Sequence, residues 1–107
     1  MNKPLSGLYA VTPELADSMA LIRKVDAALR GGASVIQYRS KFIADSLRRS
    51  QAGEIANLCR LRNALFIVND SVELACAVDA DGVHLGRDDR GGPAARTMLG
   101  PGKLIGV

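Results

Sequence analysis

The feature that most constrains this chain is its regular alternation of short apolar runs with longer segments that are apolar on one side only. Leu65, Phe66, Ile67 and Val68 form a continuous run, the pattern of a parallel strand buried on both faces. Leu8 to Val11, Ser34 to Arg39, Asp81 to Leu85 and Lys103 to Val107 read as four further strands. Between the first two, Leu15, Met19, Ile22, Val25 and Leu29 recur at spacings of three and four, which places them on one helical face. Thr12, Pro13 and Glu14 read as the cap and first turns of that helix, and Gly31-Gly32 as its stop. Ala44, Leu47, Ile55, Leu58 and Cys59 mark a second amphipathic helix. Asn69-Asp70-Ser71 can cap a short third helix carrying Val72, Leu74, Ala75 and Val78. A fourth helix, preceded by Gly91, Gly92 and Pro93, runs to Leu99, where Gly100-Pro101-Gly102 ends it.

Strand and helix in strict alternation predict a parallel α/β sheet with right-handed crossovers. Two architectures satisfy that pattern, an open doubly wound sheet and the eight-fold (β/α)8 TIM barrel. The first strand-to-helix junction has no G-x-G-x-x-G and no phosphate-binding G-x-x-x-x-G-K-[ST] occurs, so the nucleotide-binding folds lose their usual cradle and the barrel is favoured. A barrel takes roughly 200 residues or more. The 107 residues here amount to four βα units plus a fifth strand, and the chain reads as truncated, with open strand edges that predict self-association.

Composition narrows the class. At 48% apolar and 23% charged, the chain is neither disordered nor fibrous. No apolar run is long enough to span a membrane, and no secretory leader pattern opens the chain, so a cytoplasmic location is expected. From Arg23 to Arg62 there are nine basic and three acidic residues, but most fall on the polar faces of helices, and four aromatics offer little for stacking on nucleic acid. Cys59 and Cys76 are expected as reduced core residues.

The polar residues of interest stand at the carboxyl ends of the strands, where parallel α/β proteins build ligand sites. Gln37, Arg39 and Lys41 alternate, so on a strand reaching that far they share a face and offer an amide and two cations to an anion; the other reading is a solvated strand end and a basic loop. Asn69 and Asp70 are either helix caps or site residues, and Asp88 and Asp89 either an acidic turn or ligands. Carboxylates on successive strand tips suit one hard cation such as magnesium, which is commonly held by one or two carboxylates plus phosphate oxygens. His84, the only histidine, has no partners for a zinc site. No nucleophile paired with a base is present, so covalent catalysis has no support.

The segments LYAVT (8 to 12), GGASVIQYRSK (31 to 41), LFIVNDSVELACAVDADGVHLGRDD (65 to 89) and KLIGV (103 to 107) resemble, in order and spacing, the N-terminal half of the thiamine-phosphate synthases. The resemblance implies a TIM barrel that couples 4-amino-2-methyl-5-pyrimidinylmethyl diphosphate to thiazole phosphate, with Mg2+, giving thiamine phosphate and pyrophosphate. It implies that Gln37, Arg39, Lys41 and Asn69 bind the pyrimidine diphosphate, with Arg39 and Lys41 acting on its phosphates. Tyr9 and His84 match positions near the pyrimidine, and Asp70 and Asp89 would be magnesium ligands. Where the family often has Glu between the Arg and Lys, this sequence has Ser40, whose side chain should point away from the Arg39 face. Two other activities are compatible with the same fold: a thiazole tautomerase-like role, and capture of a phosphorylated ligand without turnover.

Overall fold

The computed structural model describes residues 8–86 and 92–106. Five parallel strands, β1 (Leu8–Val11), β2 (Ala33–Tyr38), β3 (Leu65–Asn69), β4 (Gly82–His84) and β5 (Leu104–Gly106), alternate with helices α1 (Ser18–Arg30), α2 (Asp45–Leu61), α3 (Val72–Ala77) and α4 (Gly92–Leu99). The spatial order of the strands equals their order in the chain, so each crossover steps one strand further in the same direction. Crossovers of one hand that never reverse direction place every helix on the same side of the sheet.

The packing shows that sidedness directly. Outward side chains Ile36, Tyr38, Phe66, Val68, Val83 and Leu85 join buried residues of α1, α2 and α3 in one continuous core, against which Leu99 of α4 also packs. On the opposite face Val35, Leu65 and Ile67 pack with Leu104 in a separate cluster that contains no helical residue. Alternate residues of each strand therefore serve two different apolar layers, which is why β3 reads as an unbroken apolar run. The sheet is not closed over the described residues.

Several elements begin or end elsewhere than the sequence pattern suggests. Helix α1 starts at Ser18, with Asp17 as its cap accepting from the Ala20 N–H, and not at Thr12. Thr12 and Glu14 bond instead to residues after β2. Met19 lies off the buried face and is 72% exposed, whereas Leu21, Val25 and Leu29 are buried. Strand β2 ends at Tyr38, so Arg39 and Lys41 lie in the following loop. Ser71, rather than Asn69 or Asp70, caps α3 by accepting from the Leu74 N–H. Cys59 is in the core as expected, but Cys76, on α3, is exposed.

The outer layer also holds one fully buried polar residue. Gln51 of α2 accepts from the Tyr38 hydroxyl at 2.7 Å and donates to the Leu15 carbonyl at 2.8 Å and to Ser18 Oγ at 3.1 Å. It ties the end of β2 and the loop between β1 and α1 to one point, with its buried polar atoms satisfied. Burial raises the Tyr38 hydroxyl above its ordinary pKa, which keeps it a neutral donor.

Candidate active site at the strand tips

The inner face of the sheet carries a ladder of polar side chains near the carboxyl ends of its strands. Tyr9 and Gln37 sit on β1 and β2 at positions that alternate with the outward core, and Asn69 occupies the equivalent face of β3. Asn69 Nδ2 donates to Gln37 Oε1 at 3.0 Å, and Gln37 Nε2 donates to the Tyr9 hydroxyl. Gln37 is only 6% exposed, so its amide is fixed by partners on both sides. His84 lies opposite Asn69 in the β3–β4 register and opposite Gly106 in the β4–β5 register. A Cβ on Gly106 would come within 3.2 Å of His84 Nδ1, so the missing side chain at 106 leaves the imidazole its place.

Tyr9, Gln37 and His84 also line a concavity of about 470 Å³, together with Val35, Ile67 and Leu104 among others. Its volume falls in the range of small-molecule sites, and its apolar floor with a few convergent polar groups is their usual make-up.

Charge gathers in the loops that follow β2 and β3. Lys41 Nζ stands 3.7 Å from Asp70 Oδ2, with both side chains about half exposed. Asp70 follows β3 directly and takes a left-handed backbone, φ 63°, while its N–H donates to the His84 carbonyl at 2.8 Å. Its Oδ1 lies 3.8 Å from where a Cβ on Gly86 would be, so the carboxylate faces the tip of β4. Arg39 is exposed at the same end of the sheet. Asp88 and Asp89 lie outside the described residues. Among the described residues no three His, Cys, Asp or Glu side chains cluster as a metal site, and Asp70 is the carboxylate at this end of the sheet that the sequence reading singled out.

The structure thus brings Tyr9, Gln37 and Asn69 into one hydrogen-bonded row with His84 beside it, and pairs Lys41 with Asp70. It does not place Gln37, Arg39 and Lys41 on a shared strand face, because the strand ends first.

Two residues that sequence reasoning assigned to a helix start belong to this site's scaffold. Thr12 Oγ1 accepts from the Arg39 N–H at 3.0 Å. The Glu14 carboxylate accepts from the Lys41 N–H at 2.8 Å, the Ser40 hydroxyl at 2.9 Å and the Phe42 N–H at 3.2 Å. These bonds, the one from Lys41 foremost, hold the Glu14 carboxyl below its usual pKa. The only sequence cue was an acidic residue after Thr-Pro, and local capping explained it equally well.

Residues 8–107 match the family model described as thiamine monophosphate synthase. The chain is 54% identical over 103 residues, 96% of its length, to the thiamine-phosphate synthase of Aromatoleum aromaticum, and 53% identical over 107 residues to that of Chromobacterium violaceum. It covers 50% and 52% of those two relatives, so the chain spans about half the length of the curated relatives it matches. In solved structures it is similar to the thiamine phosphate pyrophosphorylase from Pyrococcus furiosus, with a TM-score of 0.75 and 35% identity, over 91% of this chain and 46% of that one. With the family model matched over residues 8–107 and relatives more than half identical over nearly its whole length, the chain belongs to the thiamine monophosphate synthase family.

Proposed function

We propose that this chain forms the diphosphate-binding half of a thiamine-phosphate synthase, a cytoplasmic transferase that joins 4-amino-2-methyl-5-pyrimidinylmethyl diphosphate to thiazole phosphate. The observation that carries the reading is the Tyr9–Gln37–Asn69 row on the inner face, with the Lys41–Asp70 pair in the loops that follow β2 and β3. The domain reading follows the same line: residues 1–107 would be the first four βα units and fifth strand of a TIM barrel. Sequential strand order with helices on one face is the winding such a barrel requires, and it is not the reversing order of a doubly wound sheet.

In this reading the pyrimidine lies against the inner face, held by Gln37 and Asn69 with Tyr9 and His84 alongside. Arg39 and Lys41 stand at the diphosphate. The carbon–oxygen bond to the diphosphate breaks, its electron pair leaves with pyrophosphate, and the electron-rich ring stabilises the remaining methylene cation. The thiazole nitrogen then donates its lone pair to that carbon, forming the new carbon–nitrogen bond without a protein nucleophile. What the protein must supply is stabilisation of the departing negative charge, which fixed cations provide best. The Asp70 carboxylate, half exposed beside Lys41, suits magnesium, which commonly takes one or two protein carboxylates and completes its shell with phosphate oxygens and water. Asp70 and Asp89 would hold that ion, and it would add Lewis-acid neutralisation of the diphosphate.

The test is calorimetric titration of the aminopyrimidine diphosphate into the chain with and without magnesium, beside Asp70→Asn. Binding that needs magnesium and is lost in the variant is the expected result. A folded wild-type chain that binds the diphosphate equally well without the metal, or not at all, overturns the assignment.

A further inference from the structure

The loop that carries Arg39 and Lys41 is built on the loop that follows β1. Thr12 continues the β1–β2 ladder: its N–H donates to the Gln37 carbonyl at 2.9 Å, and its side-chain oxygen takes the Arg39 N–H that a strand carbonyl would otherwise take. Two residues on, Glu14 receives the N–H groups of Lys41 and Phe42 and the hydroxyl of Ser40. Successive backbone N–H groups converging on one anion make a nest, and here the chain's own carboxylate fills it. The platform is itself anchored, since buried Gln51 holds the Leu15 carbonyl next to Glu14 and the Tyr38 hydroxyl next to Arg39. Beyond the nest, the Lys41 side chain reaches Asp70.

Resting on the reading of Arg39 and Lys41 as diphosphate-binding groups, we propose that Thr12 and Glu14 are positioning residues, which fix the backbone of residues 39–42 so that both cations are delivered to the diphosphate. Neither touches the substrate. The physical need is specific: two long, half-exposed cationic side chains lose binding strength quickly if their backbone wanders, because each then pays ordering entropy at the moment of binding. Ser40 is part of the device, donating its hydroxyl to the same Glu14 carboxylate.

The experiment uses the natural full-length protein, with magnesium pyrophosphate as the binding probe and steady-state kinetics for both substrates. Glu14→Ala is expected to weaken pyrophosphate binding about fivefold or more and to raise KM for the diphosphate substrate by a similar factor, with KM for thiazole phosphate and the melting temperature unchanged. Glu14→Gln should fall between, because it keeps one acceptor oxygen but turns an NH2 group toward N–H donors. Thr12→Val, which removes only the acceptor for Arg39, should shift the same parameter in the same direction. Glu14→Ala and Thr12→Val both within about twofold of wild type, while Lys41→Ala abolishes binding, would overturn the inference and leave the site reading intact. An equal rise in both KM values with a lowered melting temperature would also overturn it, as a general structural role. Pyrophosphate binding untouched by Lys41→Ala would refute the site reading itself, and the inference with it.

Discussion

Asp70 shows how a single residue can serve backbone and site at once. Its φ of 63° is left-handed, a conformation that costs an ordinary L-residue roughly 1–2 kcal/mol and that Asp and Asn tolerate. The turn lifts the chain off β3 and aims the carboxylate at the tip of β4 and at Lys41. Asp70→Ala should therefore lower stability by about 1 kcal/mol relative to Asp70→Asn in urea denaturation, and Asn should match wild type. The half-exposed ion pair with Lys41 contributes too little to alter that ranking. Equal midpoints for Ala and Asn would show that the left-handed turn is not maintained. At this scale the strand-end positions of Gln37, Asn69 and Asp70 were legible because strand ends and alternation are local properties of the sequence, whereas Tyr9 entered only through the family resemblance. Thr12 and Glu14 were not: their partners lie 27 or so residues away, and a Thr-Pro-Glu string looks like a helix start to any rule that reads only neighbours.

At the scale of elements, every predicted strand and helix exists, and the misplacements fall at their ends. Helix α1 loses its first turn because the residues that would form it are bonded to the loop after β2. Strand β2 stops at Tyr38 for the same reason, since Thr12 takes the next N–H with a side chain in place of a strand carbonyl. Glycines show the same dependence on surroundings. Gly82 in β4 is crossed by β5 so closely that an added Cβ would lie 2.3 Å from the Leu104 carbonyl oxygen, which is backbone and cannot turn aside. Gly53, in the middle of α2, has nothing within 4 Å of such a Cβ. The two substitutions should thus have opposite signs. Gly82→Ala should cost about 1–3 kcal/mol and speed hydrogen exchange of the Leu104 and Leu85 amides, which bridge β4 and β5. Gly53→Ala should gain about 0.5–1 kcal/mol, because alanine restricts the unfolded chain and suits a helix interior. A neutral Gly82→Ala would mean that β5 is not held at this distance.

For the molecule as a whole, the decisive property is that the sheet winds in one direction. Sequential order leaves β1 and β5 as outer strands of an open sheet over the described residues, with all helices behind it. Along β1 the side chains of Leu8, Tyr9 and Val11 are each half exposed or more, 61% in the case of Leu8. An unpaired parallel edge lined by apolar side chains presents free N–H and C=O groups next to sticky surface, which is the condition for edge-to-edge association. The periodicity of the chain made this legible as a fold class, because strand and helix alternate throughout. The curvature and closure of the sheet were not legible, since they depend on strand tilt and stagger, which no local pattern encodes. The 107-residue chain on its own should therefore elute at low micromolar concentration as a species larger than a monomer, with mass by light scattering rising with concentration. Replacing Leu8 and Val11 with Lys should reduce that association, because charge on an edge strand makes its burial against a second edge unfavourable. A sharp monomer peak for the unsubstituted chain would show that its edges are protected in solution, and the open sheet would then be a stable unit without a partner.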